Sequence, residues 1–169
     1  MIFRALGWLD MKKFRKVAVG GTFDELHRGH KALLAKAFEI GEHVLIGLSS
    51  DEFAAKMGKP HMTASYEERL KELEAFLKAL DLNGKAEIVP LNDSYGLTVT
   101  DRCIEALVVS EETKTIAVKI NEERREKGFS ELKIVSIEMV PAENCSPIST
   151  TRIREGEIDR EGHLLMRAP

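Results

Sequence analysis

The chain reads Val17-Ala18-Val19-Gly20-Gly21-Thr22-Phe23-Asp24-Glu25-Leu26-His27-Arg28-Gly29-His30, followed by Leu33, Leu34, Ala37 and Phe38 ahead of Gly41. A short apolar run that ends in paired glycines reads as a buried strand entering a tight turn. After His27 the period changes. The next apolar residues fall at i, i+1, i+4 and i+5, one face of a helix that Gly41 ends. Glycines in such a turn let a ligand approach the backbone, and the helix N-terminus offers free N–H groups and positive potential to a phosphate. His27 and His30 are three apart on the first turn, so both imidazoles can address one anion. Gly29 between them leaves room for a nucleotide to lie against the main chain.

Outward from this stretch, apolar runs and helical patterns alternate. His43 to Leu48 reads as a second strand. A helix capped by Thr63 or Ser65 carries Tyr66, Leu70, Leu73, Phe76, Leu77 and Leu80 on one face as far as Asn83-Gly84. Ala86–Leu91 and Ala106–Val109 are the third and fourth strands, Glu112 to Lys127 is a helix ended by Gly128, and Leu132 to Val140 is a fifth strand. Such alternation implies right-handed crossovers and a parallel sheet covered on both faces. The fold class is therefore α/β, with five parallel strands, and ligands are expected beyond the strands' carboxyl ends, near the switch in strand order. The Gly20-Gly21 turn and the segments after Leu48, Val109 and Val140 all fall there.

Composition narrows the possibilities. The 169 residues suit one domain with a sizeable core. No apolar run reaches the roughly 18 residues of a membrane span, so a membrane protein is excluded. The first ten residues are too short in apolar core, and lack the cleavage site, for a signal peptide. Met11, followed by Lys12-Lys13-Phe14-Arg15-Lys16, reads as a second start, which makes residues 1–12 an extension outside the fold. Cys103 and Cys145 offer one possible pair, which in this context points to a reducing cytoplasm. A formal charge of −3 argues against a general nucleic-acid binder, so any anion must meet local positive charge. The absence of Gln and the weight of Glu and Lys lean towards a heat-adapted source.

Taken singly, a Gly-Gly turn is usually only a turn, and two histidines three apart are usually packing or surface residues. A two-histidine metal site would need a third ligand at characteristic spacing, which is not found nearby. The joint pattern is far more specific. Gly21-Thr22-Phe23-Asp24 with His27-Arg28-Gly29-His30 resembles the signature of the HxGH nucleotidyltransferase superfamily. The segment Ile148-Ser149-Thr150-Thr151-Arg152-Ile153-Arg154 is similar to its ISSTxxR motif, with Thr150 in place of Ser. This run of hydroxyl and amide donors opens a helix after Pro147, with an arginine one turn on, and suits triphosphate oxygens. Val108-Val109-Ser110-Glu111-Glu112-Thr113, Asp93-Ser94-Tyr95-Gly96 and Glu67-Glu68-Arg69 resemble the archaeal and eukaryotic type of phosphopantetheine adenylyltransferase.

The resemblance implies a Rossmann-like nucleotidyltransferase domain over residues 13–156, with 157–169 as a C-terminal tail. It also implies transfer of AMP from ATP to 4′-phosphopantetheine, with Mg²⁺ carried on the ATP phosphates and no protein cage for it. His30 is implied to stabilise the transition state, with His27 on the triphosphate beside it. Gly21, Thr22 and Phe23 are implied where nucleotide and acceptor phosphates meet. Ser149, Thr150, Thr151 and Arg154 would hold the β- and γ-phosphates, and Ser110 and Asn121 are further nucleotide-site candidates. A lysine should grip the acceptor phosphate, with Lys56 and Lys59 as the candidates in the loop Ala54–Pro60. Asp24 is expected to cap its loop. The bacterial type has arginines where Glu111 and Glu112 stand, so their roles are not carried over. The nearest alternatives are an FMN adenylyltransferase or a CTP-dependent cytidylyltransferase, and, from another class, a non-catalytic nucleotide sensor. A monomer without nucleic-acid or membrane partners is expected.

Overall fold

The computed structural model describes residues 12–59 and 62–166. The expected N-terminal extension lies outside the described residues, apart from Lys12. Strand alternation sets the core. Val17 and Val19 of β1 (Phe14–Gly21) are buried on one face of the sheet, and Ala18 on the other. The same period of two sends Val44, Ile46 and Leu48 of β2 (Gly41–Ser49) to the first face and Leu45 to the second. In β4 (Ala106–Ser110), Ala106 and Val108 face one way, Leu107 and Val109 the other. Apolar residues at both parities require cover on both faces. The first is covered by α1 (Arg28–Ile40) and α3 (Tyr66–Ala79), the second mainly by α4 (Lys114–Glu126).

With β3 (Ala86–Leu91) and β5 (Lys133–Ile137), the strands form one parallel sheet in the order β3-β2-β1-β4-β5. The chain winds from β1 out to β3, then crosses back to β4 on the other side of β1. The switch therefore lies between β1 and β4, where their carboxyl ends open a crevice. The expected α/β architecture with five parallel strands is what forms.

Boundaries moved for local reasons. β2 begins at Gly41, paired with Phe14; a Cβ on Gly41 would lie 2.7 Å from Val17 Cγ2, so only glycine lets the chain enter the sheet here. β5 stops at Ile137, because β4, its partner among the described residues, ends opposite it at Ser110. The first three residues of the segment read as a loop, 54–56, are helical: they end α2 (Asp51–Lys56), capped by Ser50, whose hydroxyl accepts from Phe53 N. Its six residues are too few for a periodic signal. Ser65, not Thr63, caps α3 in a reciprocal capping box with Glu68. A short α5 (Thr150–Arg154) follows the loop after β5. Among the described residues no helix is long and apolar enough to cross a membrane.

Two arginines occupy apolar helix faces. In α4, Arg124 shares its face with Ala117 and Ile120 and is 1% exposed. Its guanidinium donates to the carbonyls of Ser130, Thr98, Asp101 and Ile104, binding the crossover into β4 to the start of β5. Removing it orphans several buried acceptors, each costing on the order of 1–3 kcal/mol. Arg124→Met is expected to lower stability by about 3 kcal/mol or more in urea unfolding, while nucleotide affinity of the folded fraction stays unchanged, because none of the carbonyls it binds belongs to the β1–α1 turn.

Candidate active site

The turn between β1 and α1 is held in a conformation the chain would not choose. Phe23 and Glu25 have φ of 49° and 53°, left-handed values that side chains disfavour. Asp24 between them is completely buried. Its Oδ1 accepts from Ala64 N at 3.1 Å and from Arg154 Nη2 at 2.7 Å, its Oδ2 accepts from Arg154 Nε at 2.9 Å, and its carbonyl accepts the Thr150 hydroxyl at 2.9 Å. The second motif is thus folded onto the first.

His27 then caps α1. Its Nδ1 accepts from the main-chain N–H of Gly29 and His30, at 3.1 and 3.4 Å, while His30 Nδ1 accepts from His27 N at 3.4 Å. The two rings stack with centroids 3.7 Å apart and planes 18° from parallel. Because each Nδ1 is an acceptor, each neutral ring carries its proton on Nε2. Gly29 keeps this arrangement uncrowded: a Cβ there would lie 3.0 Å from His27 Cε1 and press on the ring. Burial pushes His27 down to about 4, helped by the cations of Lys59 and Arg160. His30 is pushed well below its ordinary value by burial, by His27 and by Lys59. The site therefore holds two neutral Nε2–H donors at neutral pH.

Lys59 stands among these groups, its ammonium lowered by desolvation and by Arg69 and drawn the other way by Asp24 and Glu112. Lys56, at the end of α2, lines a different space. A largely apolar cavity of about 440 Å³ opens beside Gly20 and Gly21, between the second sheet face and α2, with Phe53, Lys56, Met57, Leu91 and Tyr95 in its wall. Small residues make the room: Ala18, Gly20 and Gly47 line its floor. Lys59 and Arg154 instead line a neighbouring hollow with Asp51, Ser65 and Glu68.

Several expected site residues are brought together and others are not. Gly21, Thr22, Phe23, His27, His30 and Lys59 share one locality, and Ser110 ends the adjacent β4 with its hydroxyl 3.3 Å from that of Thr113. Asn121 is corrected: its amide donates to Leu132 O at 3.0 Å and accepts from Leu132 N at 2.8 Å, which ties α4 to the start of β5 at the other end of the sheet. Thr150 is buried with its hydroxyl spent on the Asp24 carbonyl, which leaves its main-chain N–H at the start of α5 as its remaining donor. Arg154 commits Nε and Nη2 to Asp24, and Nη2 lies 3.3 Å from Glu25, so these two nitrogens clamp the turn. The Ser149 hydroxyl caps α5 by accepting from Arg152 N.

Arg69, which closes the Glu67-Glu68-Arg69 motif, is a second support of the site. It is 1% exposed and donates to Thr22 O at 2.9 Å, Ser49 O at 2.8 Å, Ala64 O at 2.8 Å and Asp51 Oδ1 at 2.9 Å. The signal was there in the spacing, because Arg69, Leu73 and Leu77 form one buried stripe.

A helix N-terminus at the topological switch, bearing two neutral imidazoles and clamped by a distant hydroxyl-rich motif, defines a nucleotidyltransferase-type site on a Rossmann-like sheet. The family model for cytidylyltransferase-like proteins matches residues 18–156. A phosphopantetheine adenylyltransferase of Methanothermobacter thermautotrophicus is 50% identical over 156 residues, 92% of this chain and 93% of that one. Another, from Pyrococcus horikoshii, is 45% identical, covering 90% and 96%. A solved protein of unknown function from Archaeoglobus fulgidus has a TM-score of 0.64 at 35% identity, covering 72% of this chain and 88% of that one. The chain belongs to the cytidylyltransferase-like family and, within it, to the phosphopantetheine adenylyltransferases.

The lowered His27 value has a consequence for stability. Below about pH 6.5 the unfolded chain takes up a proton that folded His27 refuses until about pH 4, so stability falls as pH falls through that window. The His27 contribution is on the order of 3 kcal/mol. Urea midpoints between pH 7 and 4.5 should fall less steeply in His27→Asn, which keeps a capping acceptor; equal slopes would sink the assignment.

Proposed function

We propose that this chain transfers the adenylyl group of ATP to the phosphate of 4′-phosphopantetheine, giving dephospho-CoA and pyrophosphate. The observation that carries this reading is the stacked, neutral pair His27 and His30, each with its proton on Nε2, beside Lys59 and the mouth of an apolar cavity. An acceptor phosphate is already anionic, so the attack on the ATP α-phosphorus needs no general base. A phosphate oxygen forms the new P–O bond as the bond to pyrophosphate breaks. The protein's task is to align two anions that repel and to offset charge on the α-phosphate. His30 Nε2–H serves that charge, and His27 serves the neighbouring triphosphate.

The cavity beside Gly20 and Gly21 suits the flexible pantetheine arm, which is mostly apolar with a few amide groups. Lys56 is then assigned to the cavity mouth and Lys59, electrically coupled to both histidines, to the transferring phosphates. Thr22 and Phe23 present the turn's main chain, Ser110 lies on the nucleotide side, and Ser149 and Thr151 open α5 near the phosphates. Among the described residues no group of three carboxylates, cysteines or histidines is placed to hold a metal ion, and Asp24 is taken up by Arg154 and Ala64. We accordingly assign Mg²⁺ to the ATP phosphates, where it would screen their charge.

The test is pyrophosphate release from purified protein given Mg²⁺, 4′-phosphopantetheine and either ATP or CTP. Release with ATP alone, reduced about 10²-fold or more in His30→Ala, is the expected result. ATP binding without release with this acceptor would sink it and bring FMN forward. The lysines separate in the same assay. Lys59→Met should cut kcat by at least about tenfold, whereas Lys56→Met should chiefly raise the KM for phosphopantetheine.

A further inference from the structure

The geometry points to Arg160, beyond the segment matched by the family model, as a positioning residue that grips the histidine turn on both sides of His27. The inference rests on the adenylyl-transfer reading of that turn.

Residues 157–166 form a small hairpin. Ile158 and Leu164 make a β-bridge, Leu165 N donates to Glu157 O at 2.9 Å, and Asp159 Oδ1 accepts from Glu161 N and His163 N at 2.9 Å each. The hairpin is anchored by Ile158, fully buried against Ala142 and Ile148, and by Gly162, whose Cβ would fall 2.6 Å from Ile148 Cδ1. Arg160 at its tip is therefore presented by a rigid base.

From there Arg160 reaches the turn twice. Ahead of His27, its Nε and Nη2 lie 2.9 and 2.8 Å from Glu25 Oε2, and Nη1 bonds Glu72 of α3. Behind His27, its carbonyl accepts from Arg28 N at 2.9 Å, the first orphan N–H of α1. Its neighbour Glu161 repeats the grip, with its carbonyl on Arg28 Nη1 at 3.1 Å and its carboxylate on Lys31 at 2.8 Å. Glu25 is one of the two left-handed residues of the turn. Arg154 Nη2 holds the other Glu25 oxygen from 3.3 Å, so losing the two shorter Arg160 contacts leaves this strained residue on its weaker hold, and relaxation there would swing His27 off the position its stacked partner needs. Arg160 does not touch the reacting atoms. It acts through Glu25 and through the main chain of Arg28.

A purely structural role would show elsewhere. The Arg160 side chain is 46% exposed, and ion pairs at that exposure add little to stability. Its loss should leave the melting temperature within a few degrees and fall on turnover instead. The full chain is assayed with ATP and 4′-phosphopantetheine as wild type, Arg160→Met, Arg160→Lys, Glu25→Gln and the double variant. We expect kcat of Arg160→Met to fall about tenfold with both KM values within twofold, partial recovery in Arg160→Lys, and a double variant no slower than Arg160→Met. By NMR the Overhauser contacts between the stacked His27 and His30 rings should weaken in Arg160→Met as the turn relaxes.

Turnover of Arg160→Met within twofold of wild type overturns the inference, and so do losses that multiply in the double variant. A wild type with no turnover overturns the proposed reaction instead. Nuclear Overhauser contacts between the stacked His27 and His30 rings then decide the positioning role by themselves, and contacts unchanged in Arg160→Met overturn it.

Discussion

The buried pairing of Asp24 with Arg154 is the constraint on which the site depends. Two residues of the β1–α1 turn adopt left-handed backbone, and the carboxylate between them, fully buried and satisfied, is the centre of the contacts that keep that shape. Two N–H groups of Arg154 and the amide of Ala64 share its oxygens, and Thr150 takes the carbonyl. A pair of this kind is weak evidence for net stability, since desolvation consumes most of the Coulomb gain, but removing one partner typically costs 3–5 kcal/mol. Its effect is conformational: it selects one turn geometry and welds the last helix to the first.

Cations serve the same purpose elsewhere in the molecule. Arg69 and Arg124 lie on apolar helix faces and spend their donors chiefly on main-chain carbonyls at the ends of strands and crossovers. Arg69 is the more consequential, because one guanidinium joins the exit of β1 at Thr22, the exit of β2 at Ser49 and the approach to α3 at Ala64. These three exits border the crevice. The planar fork of arginine fixes their spacing in a way that a point charge could not. The result is a rigid rim around two imidazoles whose charge is suppressed by burial.

Much of this was legible in the residue pattern, and the failures have identifiable causes. All five strands and the helices α1, α3 and α4 are marked by periodicity and by glycine stops, because period two and period 3.6 are local properties. α2 was missed because six residues carry too little periodicity. The histidine turn was readable because glycines, a helix start and paired histidines coincide in eleven consecutive residues. The Thr150 hydroxyl and two nitrogens of Arg154, expected on phosphate, bond Asp24 in the fold. The chemistry of a hydroxyl or a guanidinium states what it can bind, and tertiary packing states what reaches it first. Asn121 shows the same limit, since a side chain two turns into α4 was bound to meet whichever strand packed beside it.

The sequence by itself determined the α/β class, the strand–turn–helix unit and the identity of the donors that face an anion, since all of these follow from short-range pattern and side-chain chemistry. Tertiary structure alone decided that Asp24 would be the hub for residues more than a hundred positions away, that Lys59 and not Lys56 would sit beside the histidines, and that Arg160 would close on the turn from the far end of the chain. Burial, protonation state and partner choice depend on which distant groups displace water from a side chain, and the order of residues does not encode that displacement locally.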